Sequence, residues 1–146
     1  MNLSGTSIKS QGLKFICEGI LLNEFKALVS LDVSSNDINS CICELLSETL
    51  QKSNLLKLNI SKNKIGDKGI EILSQALPFN RSKLTHLNLS DCGIEYPGLI
   101  KLFDSLKQNF SLNTLIVDNN YGSADHTFLS ISNLLRNNNF IEYLSL

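Results

Sequence analysis

With 146 residues, 42% of them hydrophobic and 18% charged, and a net charge of −1, the chain has the size of one domain and the make-up of an ordinary soluble protein. The balanced charge provides no field to gather nucleic acid or an anionic membrane surface. No apolar run approaches the roughly 18 residues of a membrane span, and Met1 to Thr6 carry neither the basic nor the apolar part of a secretory signal, so a cytoplasmic protein is expected.

The chain opens on a partial repeat, residues 1–27, in which Leu3, Thr6 and Ile8 precede a helix with Leu13, Ile16, Cys17 and Ile20 on its apolar face. The same order returns in the repeat 28–54, as Leu28, Leu31, Val33, Asn36 and Ile38, and in the repeat 55–83, as Leu55, Leu58, Ile60, Asn63 and Ile65. Here Gly66-Asp67-Lys68-Gly69 leads into a helix with Ile70, Leu73, Ala76 and Leu77 at helical spacing. The repeat 84–111 carries Leu84, Leu87, Leu89, Cys92 and Ile94, then Leu99, Leu102, Phe103 and Leu106. The repeat 112–140 carries Leu112, Leu115, Val117 and Asn120, then an irregular turn from Tyr121 to Thr127 with one extra residue, then Phe128, Ile131, Leu134 and Leu135. A partial repeat, residues 141–146, closes on Ile141, Leu144 and Leu146.

Starts at 28, 55, 84, 112 and 141 give periods of 27, 29, 28 and 29 residues, room for a strand and a full helix in every unit. One such unit cannot bury its own apolar face; stacked units share a continuous core. The expected fold is therefore an α/β solenoid, a right-handed βα superhelix with a parallel concave sheet and convex helices. Strand residues at both ends, without the polar caps solenoids usually carry, suggest a segment of a longer array.

The asparagine column has a structural reading, because its amide can bond backbone groups left open between strand and helix. Cys92 and Thr6 fit the same slot as smaller occupants. Of the four cysteines, Cys17 and Cys43 fall where other helices carry apolar residues, and Cys41-x-Cys43 has no second half with metal spacing, so reduced structural thiols are expected.

Strand alternation projects three columns from the concave face: Ser30, Lys57, His86, Thr114 and Tyr143; Asp32, Asn59, Asn88, Ile116 and Ser145; Ser34, Ser61, Ser90 and Asp118. Most are small and polar. The candidate protein-binding patch is His86, Ile116, Asp118 and Tyr143, with Tyr121 beside it. No catalytic, metal or cofactor site is expected: the two histidines, His86 and His126, have no metal spacing, and Gly66-Asp67-Lys68-Gly69 is a turn and not a phosphate loop.

Strings such as Leu84-Thr-His-Leu-Asn-Leu-Ser90 and Ile65-Gly66-Asp67-Lys68-Gly69 resemble ribonuclease-inhibitor-like leucine-rich repeats. Asn2-Leu-Ser-Gly-Thr-Ser-Ile8, Leu28-Val-Ser-Leu-Asp-Val-Ser34 and the turn from Asp118 to Leu135 resemble the repeat array of the CARMIL proteins, large cytosolic scaffolds for actin regulators. That resemblance implies a non-enzymatic scaffold whose partners are actin regulators; its capping-protein motif has no counterpart here. Two other readings remain open, a segment of an innate-immune or inhibitor-type repeat protein, and a GTPase-activating regulator resembling those for Ran. Against the latter, Arg81 and Arg136, the two arginines, fall near helix ends, which leaves an arginine finger without an obvious donor.

Overall fold

The computed structural model describes all residues except 25–26, 79–80 and 122–123. The order is α1 (Lys9–Leu22), β1 (Ser30–Asp32), a 3₁₀ turn (Ser40–Ile42), α2 (Cys43–Lys52), β2 (Lys57–Asn59), α3 (Gly66–Ser74), β3 (His86–Asn88), α4 (Tyr96–Leu106), β4 (Thr114–Ile116), α5 (Ala124–Asn137) and β5 (Tyr143–Ser145). The strands form one parallel sheet in the order β1-β2-β3-β4-β5, and each helix packs on the next along the chain. The parallel α/β solenoid expected from the period is the fold observed.

Each strand is short because only its central residue points inward. Leu31, Leu58, Leu87 and Leu115 pair in register across the sheet and are buried, as are Leu55, Leu84 and Leu112 before the strands and Val33, Ile60, Leu89 and Val117 after them. The helices close the core from the convex side through Leu13, Cys17, Leu46, Leu50, Ile70, Leu73, Leu99, Leu102, Phe103 and Leu106. Each fully buried side chain of this kind contributes roughly 1.5 to 3 kcal/mol. Helix α3 ends at Ser74, earlier than the spacing suggests, yet Ala76 and Leu77 stay buried from the turn beyond it.

Local chemistry sets the helix starts. Asn39 Oδ1 accepts the Cys41 N–H at 3.1 Å and caps the 3₁₀ turn that leads into α2. Pro97 occupies the first turn of α4, where a missing N–H costs nothing. Asp67, in the first turn of α3, reaches across to accept the Glu95 N–H at 2.7 Å. Gly98 makes this approach possible: a Cβ there would collide with Asp67 Oδ1 and lie 2.8 and 2.9 Å from Ile94 and Ile70.

The polar ladder behaves as its column implies. Asn63 Oδ1 accepts the N–H groups of Asn36 and Ile38 at 3.1 and 2.9 Å, and its Nδ2 donates to the carbonyls of Val33, Ile60 and Ser61. Asn120 repeats this toward Cys92, Ile94, Leu89, Val117 and Asp118. Cys92 keeps one of these bonds, from Sγ to the Ile60 carbonyl at 3.3 Å, and Thr6 donates to the Leu3 carbonyl at 2.7 Å.

The last helix departs from expectation. Phe128 and Leu135, expected in the core, are 61% and 56% exposed, whereas Thr127, Ser130, Ile131 and Leu134 are buried. These four lie 28 residues beyond Leu99, Leu102, Phe103 and Leu106, so α5 sits one residue out of the register that would bury Phe128. One residue is a 100° rotation of a helix, enough to turn Phe128 and Leu135 outward and bring Thr127 in, its hydroxyl buried without a hydrogen-bond partner. The tip of the irregular turn, residues 122–123, lies outside the described residues. Urea denaturation of Leu134→Ala is expected to show a loss of about 2 to 5 kcal/mol and of Phe128→Ala below about 1 kcal/mol; equal losses would restore the unshifted register.

The cysteines fall where a reduced core predicts. Cys17, Cys43 and Cys92 are buried and Cys41 is exposed, all four free. Burial raises the Cys17 thiol above its ordinary range and pushes Cys43 and Cys92 up to about 12, which keeps them protonated and unreactive at neutral pH. A chromogenic aromatic disulfide reagent should therefore consume one thiol quickly and the other three only on denaturation; fast loss of two or more would contradict this packing.

Candidate functional site

The concave face is assembled by register. Ser30, Lys57, His86, Thr114 and Tyr143 align across the strands, as do Asp32, Asn59, Asn88, Ile116 and Ser145. A shallow depression runs along this face, lined among others by Lys57, Asn59, His86, Asn88, Thr114 and Ile116.

Within it, polar groups are largely engaged with one another. Asp32 Oδ1 accepts both the N–H and the hydroxyl of Ser34, at 3.0 and 2.7 Å, while its Oδ2 accepts Asn59 Nδ2 at 3.0 Å. Burial opposes ionisation of Asp32, but the bonds from Ser34 and Asn59 outweigh it and hold the carboxyl below its usual range. Asn59 and Asn88 accept the N–H groups of Ser61 and Ser90 in the same way, at 3.1 and 3.0 Å.

His86 Nδ1 lies 2.8 Å from the Thr85 hydroxyl, which also reaches the Leu56 carbonyl at 3.0 Å, so the ring is tied to its own strand.

The structure brings His86 and Ile116 into the one depression. Asp118 stands two residues beyond Ile116, half-buried, with Oδ1 buried and lacking a hydrogen-bond partner. Tyr143 lies on the edge strand β5 beside Thr114, 55% exposed. Tyr121 stands apart from the sheet. It is 72% exposed, bridges Glu95 on the rim of strand-to-helix loops, and lines a separate furrow with Lys64, Gly66 and Asp91. His126, which the structure places in the first turn of α5, stacks on Tyr96 with ring centroids 6.0 Å apart.

Sequence reasoning missed a second ladder, at the helix-to-strand corner. Asn109 Nδ2 donates to the Leu77 carbonyl at 2.6 Å while its Oδ1 accepts the N–H groups of Ser111 and Leu112. Asn138 does the same toward Leu106, Asn109, Phe140 and Ile141. Its signal was the polar residue two or three places before each repeat's first leucine or isoleucine: Ser53, Ser82, Asn109 and Asn138.

Comparison with known proteins follows the repeat. The family described as Leucine Rich repeat matches residues 27–47, 51–74 and 81–103. The ribonuclease inhibitor of Sus scrofa is 36% identical over 121 residues, covering 82% of this chain and 26% of that protein. The chain is a leucine-rich-repeat protein of the ribonuclease-inhibitor-like kind. The NACHT, LRR and PYD domains-containing protein 14 of Mus musculus is 31% identical over 121 residues, covering 82% of this chain and 12% of its own length. This leucine-rich-repeat chain therefore spans about a quarter of the ribonuclease inhibitors it matches and about a tenth of the larger relatives. Among solved structures, a chain described as leiomodin-1 actin-binding site 2 shares the fold at 22% identity and a TM-score of 0.79, with 88% of this chain and 75% of that one covered.

No helix among the described residues is long and apolar enough to cross a membrane. The described residues also hold no group of three or more His, Cys, Asp or Glu arranged to bind a metal ion.

Proposed function

We propose that this chain is a non-enzymatic protein-binding module whose contact surface is the concave sheet at its C-terminal half: His86, Ile116, Asp118 and Tyr143, with Tyr121 on the adjoining rim. One observation carries the reading. Asp32, Asn59 and Asn88 hold a column in which each polar side chain is bonded to the serine two residues on, and Ile116 interrupts it with an apolar side chain in register with Asn88. An apolar floor with an exposed tyrosine on the next strand has the aromatic and apolar make-up of an interface centre, within a rim of polar groups.

The bonding on this face argues against catalysis. The Ser90 hydroxyl donates to Asn88 at 2.8 Å and not to a base, and the two histidines sit on different layers, His86 on β3 and His126 on α5. A nucleophile needs a positioned base and an oxyanion site.

The finer reading is a scaffold for actin regulators, supported by the CARMIL-like strings of the sequence and compatible with the fold shared with leiomodin-1. An inhibitor-type role is favoured by the 36% identity to the porcine ribonuclease inhibitor. The test is biolayer interferometry of the immobilised chain against monomeric actin, actin capping protein and pancreatic ribonuclease, with a His86→Glu, Ile116→Glu, Tyr143→Glu variant alongside. Binding to an actin component that the variant loses supports the scaffold reading, and binding to ribonuclease alone supports the inhibitor reading. Equal binding by both chains moves the surface to the rim or the helices.

A further inference from the structure

The hydrogen bonds of the concave depression consume its acceptors and leave donors over. Asp32 accepts the N–H and the hydroxyl of Ser34 and the amide of Asn59. Asn59 Oδ1 accepts the Ser61 N–H, and Asn88 Oδ1 accepts both the N–H and the hydroxyl of Ser90, at 3.0 and 2.8 Å. Among the described residues nothing accepts from Asn88 Nδ2 or from the Lys57 ammonium, and His86, tied to Thr85 through Nδ1, has its Nε2 unengaged.

These three groups are neighbours. Lys57 and His86 pair in register on β2 and β3, and His86 and Asn88, two residues apart on one strand, project from the same face. All three line the depression together with Ile116, which is level with Asn88 on β4. Strands β1 and β4 flank β2 and β3, so the repeats on either side are already in place and leave this surface open. Asp32, the carboxylate that lines the same depression, is held by Ser34 and Asn59 and makes no ion pair with Lys57. Water meets such donors in the unbound chain; an anion exchanges that water for charge-assisted hydrogen bonds, roughly twice as strong as neutral ones. A carboxylate on a short apolar stem fits the set, with two acceptor oxygens for the lysine, histidine and amide donors and methylenes for Ile116.

We propose that Lys57, His86 and Asn88 together receive the carboxylate of an acidic side chain of the protein partner, with Ile116 as the apolar wall beside it. The proposal rests on the concave-face reading, adds Lys57 and Asn88 to that surface, and names the group that the partner brings to it.

An isotope-labelled chain titrated by NMR with acetyl-leucyl-glutamyl-leucine amide, and in parallel with the same peptide carrying glutamine for glutamate, tests it directly. The glutamate peptide is expected to shift the Asn88 side-chain amide and the backbone amides of β2 and β3 saturably, at least about fivefold more tightly than the glutamine peptide. Added salt should weaken it. Asn88→Asp keeps an acceptor for Ser90, as Asp32 does for Ser34 at the same register position, but replaces the donor by a carboxylate. That variant, folded by its unchanged spectrum elsewhere, should reduce the glutamate peptide to the level of glutamine, and Lys57→Gln should do the same. Equal responses to the two peptides, shifts as large around Lys9, Lys62 and Lys68 as around Lys57, an unaffected Asn88→Asp, or no saturable shift up to tens of millimolar would overturn the proposal. If Asn88→Asp keeps a protein partner that the His86→Glu, Ile116→Glu, Tyr143→Glu chain loses, the carboxylate site falls and the concave-face reading stands; a partner kept by both removes the reading itself.

Discussion

Replacing Asn63 by alanine is expected to lower the stability of the chain by on the order of 4 kcal/mol, measured as a shift of the urea midpoint at unchanged slope. Five hydrogen bonds run through this one buried amide, two accepted from the Asn36 and Ile38 N–H groups and three donated to Val33, Ile60 and Ser61. Alanine removes all of them and leaves two N–H groups of the preceding repeat facing a void, each costing about 1 to 3 kcal/mol when unsatisfied. The loss falls largely on the junction between repeats, because three of the five bonds, those with Val33, Asn36 and Ile38, cross to the repeat before. A loss below about 1 kcal/mol would mean that water or a backbone adjustment replaces the amide.

Phe103→Ala is expected to cost about 3 to 5 kcal/mol. The ring is fully buried in α4, and the corresponding positions of the two preceding helices, Ser47 and Ser74, are small, so the neighbours offer little to fill the space. Since α4 packs on both α3 and α5, the cavity should also loosen the coupling between the two sides of the array. A reduced urea slope, or separate transitions for the halves, is the expected signature of that uncoupling. A small loss with a sharp single transition would show that α3 and α5 collapse onto the vacancy.

The sheet and its columns were legible because a fixed period propagates: once Leu31, Leu58, Leu87 and Leu115 are aligned, strand alternation assigns each concave residue, and the observed register repeats that assignment. The rotation of α5 was not legible, since the apolar pattern Phe128, Ile131, Leu135 is as helical as the one observed, in which Thr127, Ser130, Ile131 and Leu134 are buried. Tyr121 could be placed next to the fourth strand but not on or off its face, because the loop beyond Asn120 has no period to follow. The corner ladder of Asn109 and Asn138 escaped notice for another reason: a neutral polar residue just ahead of a leucine reads as loop, and its burial depends on a carbonyl some thirty positions earlier, from Leu77 to Asn109.

That each helix packs on its sequence neighbour and each strand pairs with the next has a dynamic consequence. Because the main packing among the described residues joins neighbouring units, the chain can bend and open one unit at a time, as a spring does, and a unit held on both sides opens less readily than one held on a single side. In these 146 residues taken by themselves, backbone amides around Leu58, Leu87 and Asn63 should therefore exchange with deuterated solvent most slowly, with protection declining toward α1 and toward β5. A partner that grips the concave face proposed above would slow the exchange of the β4 and β5 amides.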